Sequence, residues 1–264
     1  MTDQSPAALL TVVRAARPLV QNITNTVVTN FTANVLLALG ASPAMVDAAE
    51  EAADFVRISG ALVVNIGTLN ARTVASMKLA AEAANEAGVP WVLDPVGAGA
   101  TAYRTETALA LLALRPAVVR GNAGEIMALA GAQDRSQKGV DSAAGTDAAL
   151  DAAQYLAGTF GCVVAVTGET DRVIGPSGVT TISGGHARIQ LVTGTGCATT
   201  ALVGAFLAVA RPEAAAIAAL TTMKRATEIA MRGDPGPGTL ATQLLDALHA
   251  VQPADVAAIT AQTA

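Results

Sequence analysis

The segment Val192-Thr193-Gly194-Thr195-Gly196-Cys197 runs directly into the apolar stretch ATTALVGAFLAVA. Two glycines just ahead of a helix let the backbone turn so that successive N–H groups converge, and the helix dipole adds to the attraction for an anion. Gly194 and Gly196 are therefore candidates for a phosphate or oxyanion cradle. The segment is not a Walker A loop, because no GxxxxGK[ST] occurs in the chain, and it is not a dinucleotide fingerprint, because the third glycine is missing. A Gly-rich helix entry with no ligand would read the same way. Cys197 falls in the first helical turn, where the dipole is expected to lower a thiol pKa. The plainer alternative is a small buried apolar residue.

Other candidates stand where apolar runs stop. Arg120-Gly121-Asn122-Ala123-Gly124-Glu125 offers a forked cation suited to phosphate and an acid able to bind a metal through water. Asn122 and Glu125 also have the spacing of an N-cap and its capping-box partner, which explains the pair without a ligand. Asp94, at the end of Trp91 to Leu93, is a carboxylate that needs a cation if it lies in a crevice, so it is a candidate for Mg²⁺. Before a proline it also simply starts a turn. Thr167-Gly168 and Gln21 to Asn25 add neutral hydrogen-bonding groups, and Met45 is an adaptable apolar wall or a core residue. His186 and His249 lack a partner at metal spacing. An anion cradle, a forked cation and acids for Mg²⁺, without a catalytic triad, suggest phosphoryl transfer.

These positions must be held by alternating strands and helices. Apolar runs at 18–25, 42–46, 61–68, 91–99, 117–125 and 162–170 each begin apolar and end polar. That is the pattern of parallel strands covered on both faces, with ligand-bearing loops at their carboxyl ends. Helices are expected over Asp47 to Gly60, Ala71 to Gly88, Glu106 to Leu114 and Asp147 to Gly158, several closed by a left-handed glycine. Residues 171–185 flank Gly175-Pro176-Ser177-Gly178 with two β-branched runs, a hairpin signal. From Cys197 onward the chain reads as almost wholly helical, broken at Arg211-Pro212 and at 233–238. No compositional shift marks a second domain, so residues 1–264 are expected to form one.

Composition narrows the function classes. Of the 264 residues 52% are hydrophobic, 14% charged and 3% aromatic, with a net charge of −5. That excludes disorder and coiled coil, and a mildly acidic chain without a basic cluster lacks the footprint of a nucleic-acid binder. The longest apolar stretch, Cys197 to Ala210, is too short to span a membrane and reads as a buried core helix. The N-terminus has no basic region before its apolar residues and reads as a short amphipathic helix, not a signal peptide. Two distant cysteines, Cys162 and Cys197, suit a reducing compartment, and the cytoplasm is the expected location. So little charge implies tightly packed alanine-rich helices, an oligomer interface, or both.

The stretches NITNTVVTNFTANVLLALGASPAM (22–45), NIGTL (65–69), LDPVGAGAT (93–101), RGNAGEI (120–126), VTGE (166–169) and VTGTGC (192–197) closely resemble the hydroxyethylthiazole kinases of the ribokinase-like superfamily. The resemblance runs in register from about residue 8 to the C-terminal helices. It implies a three-layer α/β/α fold with a mostly parallel sheet and no lid, and ATP-dependent phosphorylation of the hydroxyl of 4-methyl-5-(2-hydroxyethyl)thiazole in thiamine salvage, with Mg²⁺. It also implies a homotrimer with sites between subunits. Position by position, Arg120 and Thr167 match ATP-contacting residues, while Met45 and Gly194 match the thiazole side, where Asn25 is also placed. Asn122 to Glu125 resembles the superfamily's NxxE motif for Mg²⁺ and phosphate, and Asp94 matches a nearby acidic position, so Asp94 and Glu125 are the implied metal residues. Cys197, beside Gly194 and Gly196, stands where most of the superfamily carries an aspartate base, and thiazole kinases as a group resemble this chain there. Kinases of hydroxymethylpyrimidine or pyridoxal-like alcohols would share the ATP side, so only residues 22–45 point to thiazole.

Overall fold

The computed structural model describes residues 3–133, 146–259 and 261–263. Helix α1 (Pro6–Ala16) leads to β1 (Leu19–Ile23), α2 (Thr29–Leu39), β2 (Ser42–Ala44), α3 (Ala52–Val56), β3 (Ala61–Asn65), α4 (Ala71–Ala87) and β4 (Trp91–Asp94). Then come α5 (Ala102–Leu112), β5 (Val118–Asn122), α6 (Ala123–Gln133), α7 (Thr146–Phe160), β6 (Val163–Thr167) and the hairpin strands β7 (Asp171–Gly175) and β8 (Gly178–Ile182). A 3₁₀ turn (Ala187–Leu191) precedes α8 (Thr195–Leu207), α9 (Pro212–Ala230), α10 (Pro237–Ala250), α11 (Pro253–Ala257) and β9 (Ala261–Thr263).

Among the described residues all nine strands lie in one sheet of order β2-β1-β3-β4-β5-β6-β7-β8-β9, and none is set apart as a lid. Strands β1 to β6 pair in parallel, and β7 to β9 extend the edge antiparallel. Successive side chains point to opposite faces, so Val63 and Val92 enter one core while Leu62, Val64 and Leu93 enter the other. The first core is covered by α1, α2 and α8 to α11, the second by α3 to α7, giving three layers. Helix α8 packs against the sheet with Ala198 to Leu207 buried. A helix apolar all round belongs inside, and Gly204 lets this one approach closely, since a Cβ there would stand 2.4 Å from Val63 Cγ2.

Strand β1 has β2 on one side and β3 on the other. The α2 crossover lies on one face and α3 on the opposite one, so the chain diverges above the carboxyl ends of β1 and β3. That is a topological switch point, where open α/β sheets form a ligand crevice.

The structure corrects several element boundaries. The expected helix from Asp47 to Gly60 contracts to α3, because the buried Gln21 amide donates to the carbonyls of Val46 (3.1 Å) and Ala52 (3.2 Å) and pins that segment. Gly60 has no positive φ and closes nothing, whereas Gly88 is the left-handed cap of α4. Helix α7 continues through Gly158, and the left-handed residue after it is Gly161. Helix α5 starts before Glu106, because Thr101 caps it through a bond from the Arg104 amide. The C-terminal third ends in β9, which pairs with β8 although Ala261-Gln262-Thr263 carries little β signal. Backbone hydrogen bonding to an open edge supplies what the side chains do not.

Candidate active site

A line of buried polar groups crosses the carboxyl ends of the strands. Asn25, just beyond β1, donates to Asn65 Oδ1 at 2.8 Å and to Cys197 Sγ at 3.4 Å. Asn65 Oδ1 also accepts from the Gly67 amide, and Asn65 Nδ2 donates to Asp94 Oδ2 at 2.8 Å. Thr200, one turn into α8, donates to the same Asp94 oxygen at 2.7 Å. Gly67 has to lack a side chain, since a Cβ would fall 2.5 Å from Asn25 Nδ2 and break the line at its start. Asn25, placed on the substrate side from sequence, is therefore an internal strut with both protons committed, and only 5% exposed.

Arg120 closes the other end of the line. Its Nη2 donates to Thr167 Oγ1 at 2.7 Å and its Nη1 stands 3.9 Å from Asp94 Oδ2. The Gly196 backbone lies against the same guanidinium, for a Cβ there would come within 3.1 Å of Nη1. Arg120, Thr167, Asp94, Gly196 and Cys197 are thus one cluster drawn from β4, β5, β6 and α8. Gly194 is the N-cap of α8 with φ +87, and a side chain there would also meet Val28 Cγ1 at 2.6 Å. No side chain caps α8, which leaves first-turn N–H groups available to an anion.

Cys197 overturns one expectation. Burial, followed by the charge of Asp94, pushes its thiol pKa up and not down, despite the helix dipole. Desolvation of the thiolate and a neighbouring carboxylate outweigh partial charges at the helix end. The group is a neutral thiol at physiological pH.

Glu125 realises the capping box. Its amide donates to Asn122 Oδ1 and its Oε2 accepts from the Asn122 amide, both at 2.9 Å. Its Oε1 accepts from Gly97 N at 2.8 Å, which ties the loop after β4 to the start of α6. Asp94 is wholly buried, and its pKa is pushed up to about 6 by desolvation, with the Glu125 charge adding to the rise and Arg120 opposing it. Its Oδ1 has no hydrogen-bond partner among the described residues. Among the described residues no three acids, histidines or cysteines form a closed metal cage. An orphaned carboxylate oxygen and a second acid that repels it nevertheless fit Mg²⁺, which is commonly held by one or two carboxylates with the remaining positions left to phosphates and water.

Met45 lies just beyond β2, half-buried, on the far side of β1 from this cluster. His186 and His249 lie elsewhere, His186 as the cap of the 3₁₀ turn and His249 in the last turn of α10. Sequence reasoning missed Thr200, which hides in an apolar run, and Arg104. Arg104 donates to the carbonyls of Ile66, Val96 and Gly67 at 2.8–2.9 Å and so locks the loops after β3 and β4 together. A cavity of about 990 Å³ lies at the opposite, amino-terminal end of the strands, lined by Trp91, Ala117, Val163 and Arg211, and contains none of these residues.

An uncapped helix N-terminus and a forked cation beside a switch-point crevice place this chain in a class of three-layer α/β proteins built to meet a phosphate. The ADP complex of Bacillus subtilis pyridoxal kinase shares the fold, with a TM-score of 0.61 and 17% identity over 79% of this chain and 91% of that one. Within that class the chain belongs to the hydroxyethylthiazole kinase family, whose model matches residues 10–254. Hydroxyethylthiazole kinase from Granulibacter bethesdensis is 52% identical over 93% of this chain and 90% of its own length. The namesake from Rhizobium leguminosarum bv. trifolii is 51% identical over 94% and 93%. The structure of the Pyrococcus horikoshii hydroxyethylthiazole kinase aligns over 98% of both chains with a TM-score of 0.91 and 41% identity.

Proposed function

We propose that this chain, acting as one domain over residues 1–264, transfers a phosphoryl group from ATP to the hydroxyl of 4-methyl-5-(2-hydroxyethyl)thiazole in thiamine salvage. The observation that carries the reading is the uncapped first turn of α8, which brings Gly196 against the Arg120 guanidinium at the carboxyl end of the sheet. Backbone donors and a forked cation there meet an anion already oriented.

Arg120, steadied by Thr167, binds the nucleotide phosphates. The N–H groups after Gly194 receive the charge that spreads over the transferring phosphoryl oxygens. Met45 and Gly194 form the thiazole side, and Asn25 braces it from within. Asp94 Oδ1 and Glu125 would hold Mg²⁺, which supplies neutralisation of phosphate charge when bound. Because the Cys197 thiol is protonated, it does not collect the proton of the attacking hydroxyl. It leaves room for that hydroxyl, and phosphoryl transfer relies on positioning and charge stabilisation more than on a base.

A homotrimer with sites between subunits belongs to the same reading, as does a cytoplasmic location. Val27 and Leu191, each 64% exposed, flank the crevice segments and are suited to cover by a second copy. Light scattering on the eluted protein checks the trimer.

The decisive experiment incubates the protein with ATP, Mg²⁺ and hydroxyethylthiazole, beside hydroxymethylpyrimidine and pyridoxal, with products read by mass spectrometry. Thiazole monophosphate well above the other two products is expected. Bound ATP with no phosphorylated product would overturn the kinase reading.

A further inference from the structure

Lys224 is 8% exposed in the middle of α9, on the face turned toward β6 and β8. A buried ammonium is costly unless every proton finds an acceptor. Here Nζ donates to the carbonyls of Glu169 (3.0 Å) and Gly184 (3.2 Å), and its charge is paired with Asp171 Oδ2 at 3.4 Å. Asp171, 5% exposed, accepts the Gly168 amide on its other oxygen at 3.0 Å. The turn between β6 and β7 is therefore gripped at Gly168 through Asp171 and at Glu169 directly. Thr167, the residue that steadies Arg120, immediately precedes that grip.

Resting on the nucleotide reading of the Arg120 side, we propose that Lys224 is a positioning residue for ATP, fixing the Thr167–Thr170 turn from behind the sheet. The ion pair has a second effect. Asp171 also lies within reach of the Arg120 charge, and burial lifts its pKa while Lys224, more than Arg120, pulls it back. With Lys224 in place the Asp171 charge is balanced locally and does not compete with phosphate for Arg120. A buried pair of this kind is seldom better for stability than apolar residues of the same volume, so its geometric grip on the turn is its distinctive contribution. Neighbouring Glu228, paired with Arg225, completes the clamp by accepting the Gly185 amide at 3.0 Å where the chain leaves β8.

Two variants test this, Lys224→Met and the double variant Lys224→Met/Asp171→Leu, which removes both charges and keeps the site packed should the single variant fail to fold. Loosening the turn is expected to raise the KM and Kd for ATP by about 10–100-fold, the scale of a small misplacement. The KM for the thiazole alcohol should stay within about twofold, well under the effect of one lost contact. In the ligand-free protein, amide exchange at Gly168 to Thr170 should quicken while β4 and β5 keep their protection. Unchanged ATP affinity together with unchanged exchange at the turn overturns the inference, as does an equal loss for both substrates that tracks falling stability. A wild-type protein that binds no ATP sinks the nucleotide reading instead, and the exchange data still decide whether Lys224 holds the turn.

Discussion

Asn65 and Asp94 are register partners on adjacent parallel strands, and the Asn65 amide donates to the Asp94 carboxylate at 2.8 Å. The same amide's oxygen accepts from Asn25 and Gly67, so one side chain joins three loops. Asn65→Leu leaves a buried carboxylate with one donor fewer and strands one Asn25 proton. Unsatisfied buried groups cost about 1–3 kcal/mol each, and urea unfolding at constant pH should show a loss on that scale. The thiazole KM should rise with it.

Asp94 makes stability depend on pH in an unusual direction. Its folded pKa, pushed up to about 6 from 3.8, lies above the unfolded value. Between those values the folded state holds more protons than the unfolded one, so this residue lowers stability as pH rises from 4 to 6. Above pH 6 the cost is constant and of order 3 kcal/mol. Asp94→Asn removes the titration. Unfolding free energies of the two proteins, measured from pH 4 to 8, should diverge in the variant's favour up to pH 6 and run parallel beyond. A wild-type curve whose difference from the variant is flat over that window would contradict the raised pKa.

Cys197→Ser tests the thiol. Removing a general base costs about 10²–10⁴-fold in rate, whereas a group that only leaves space should be replaceable by Ser with a loss under about tenfold. The kcat profile of the wild type should show no thiol titration between pH 6 and 8, and iodoacetamide should label Cys197 slowly at neutral pH.

Arg120→Ala removes the forked cation and leaves Asp94 without its nearest positive charge. A drop of about 10²–10³ in kcat/KM for ATP is expected, the effect of one strong charge-stabilising donor. Arg120→Lys should recover only part of it, because an ammonium cannot bond Thr167 and approach Asp94 in one fixed plane. Steady-state kinetics varying ATP and thiazole separately would show the loss on the nucleotide axis.

The sheet and the rim were legible because the central parallel strands switch from apolar to polar at their carboxyl ends, at Asn65, Asp94, Arg120 and Thr167. Residues acting across the fold were not. Thr200 sits in an apolar helix, Arg104 in an ordinary amphipathic one and Lys224 beside a second cation, Arg225, and their partners are 106, 38 and 55 positions away. The direction of the Cys197 pKa was hidden for a related reason, since it depends on burial and on Asp94, which is distant in sequence. At residues 47–51 local helix preference lost to the Gln21 amide, a tertiary bond that no window of sequence contains.

Helix α8 is both the central beam of one core and the carrier of the anion-facing first turn. Most enzymes place their chemistry on segments that open before the rest unfolds. Here the N–H groups that would meet phosphate lie within a turn of the buried Ala198, Thr199 and Thr200, so they belong to the packed part of the helix. Heating should therefore abolish turnover and near-ultraviolet ellipticity in a single cooperative step, with no inactive folded species between.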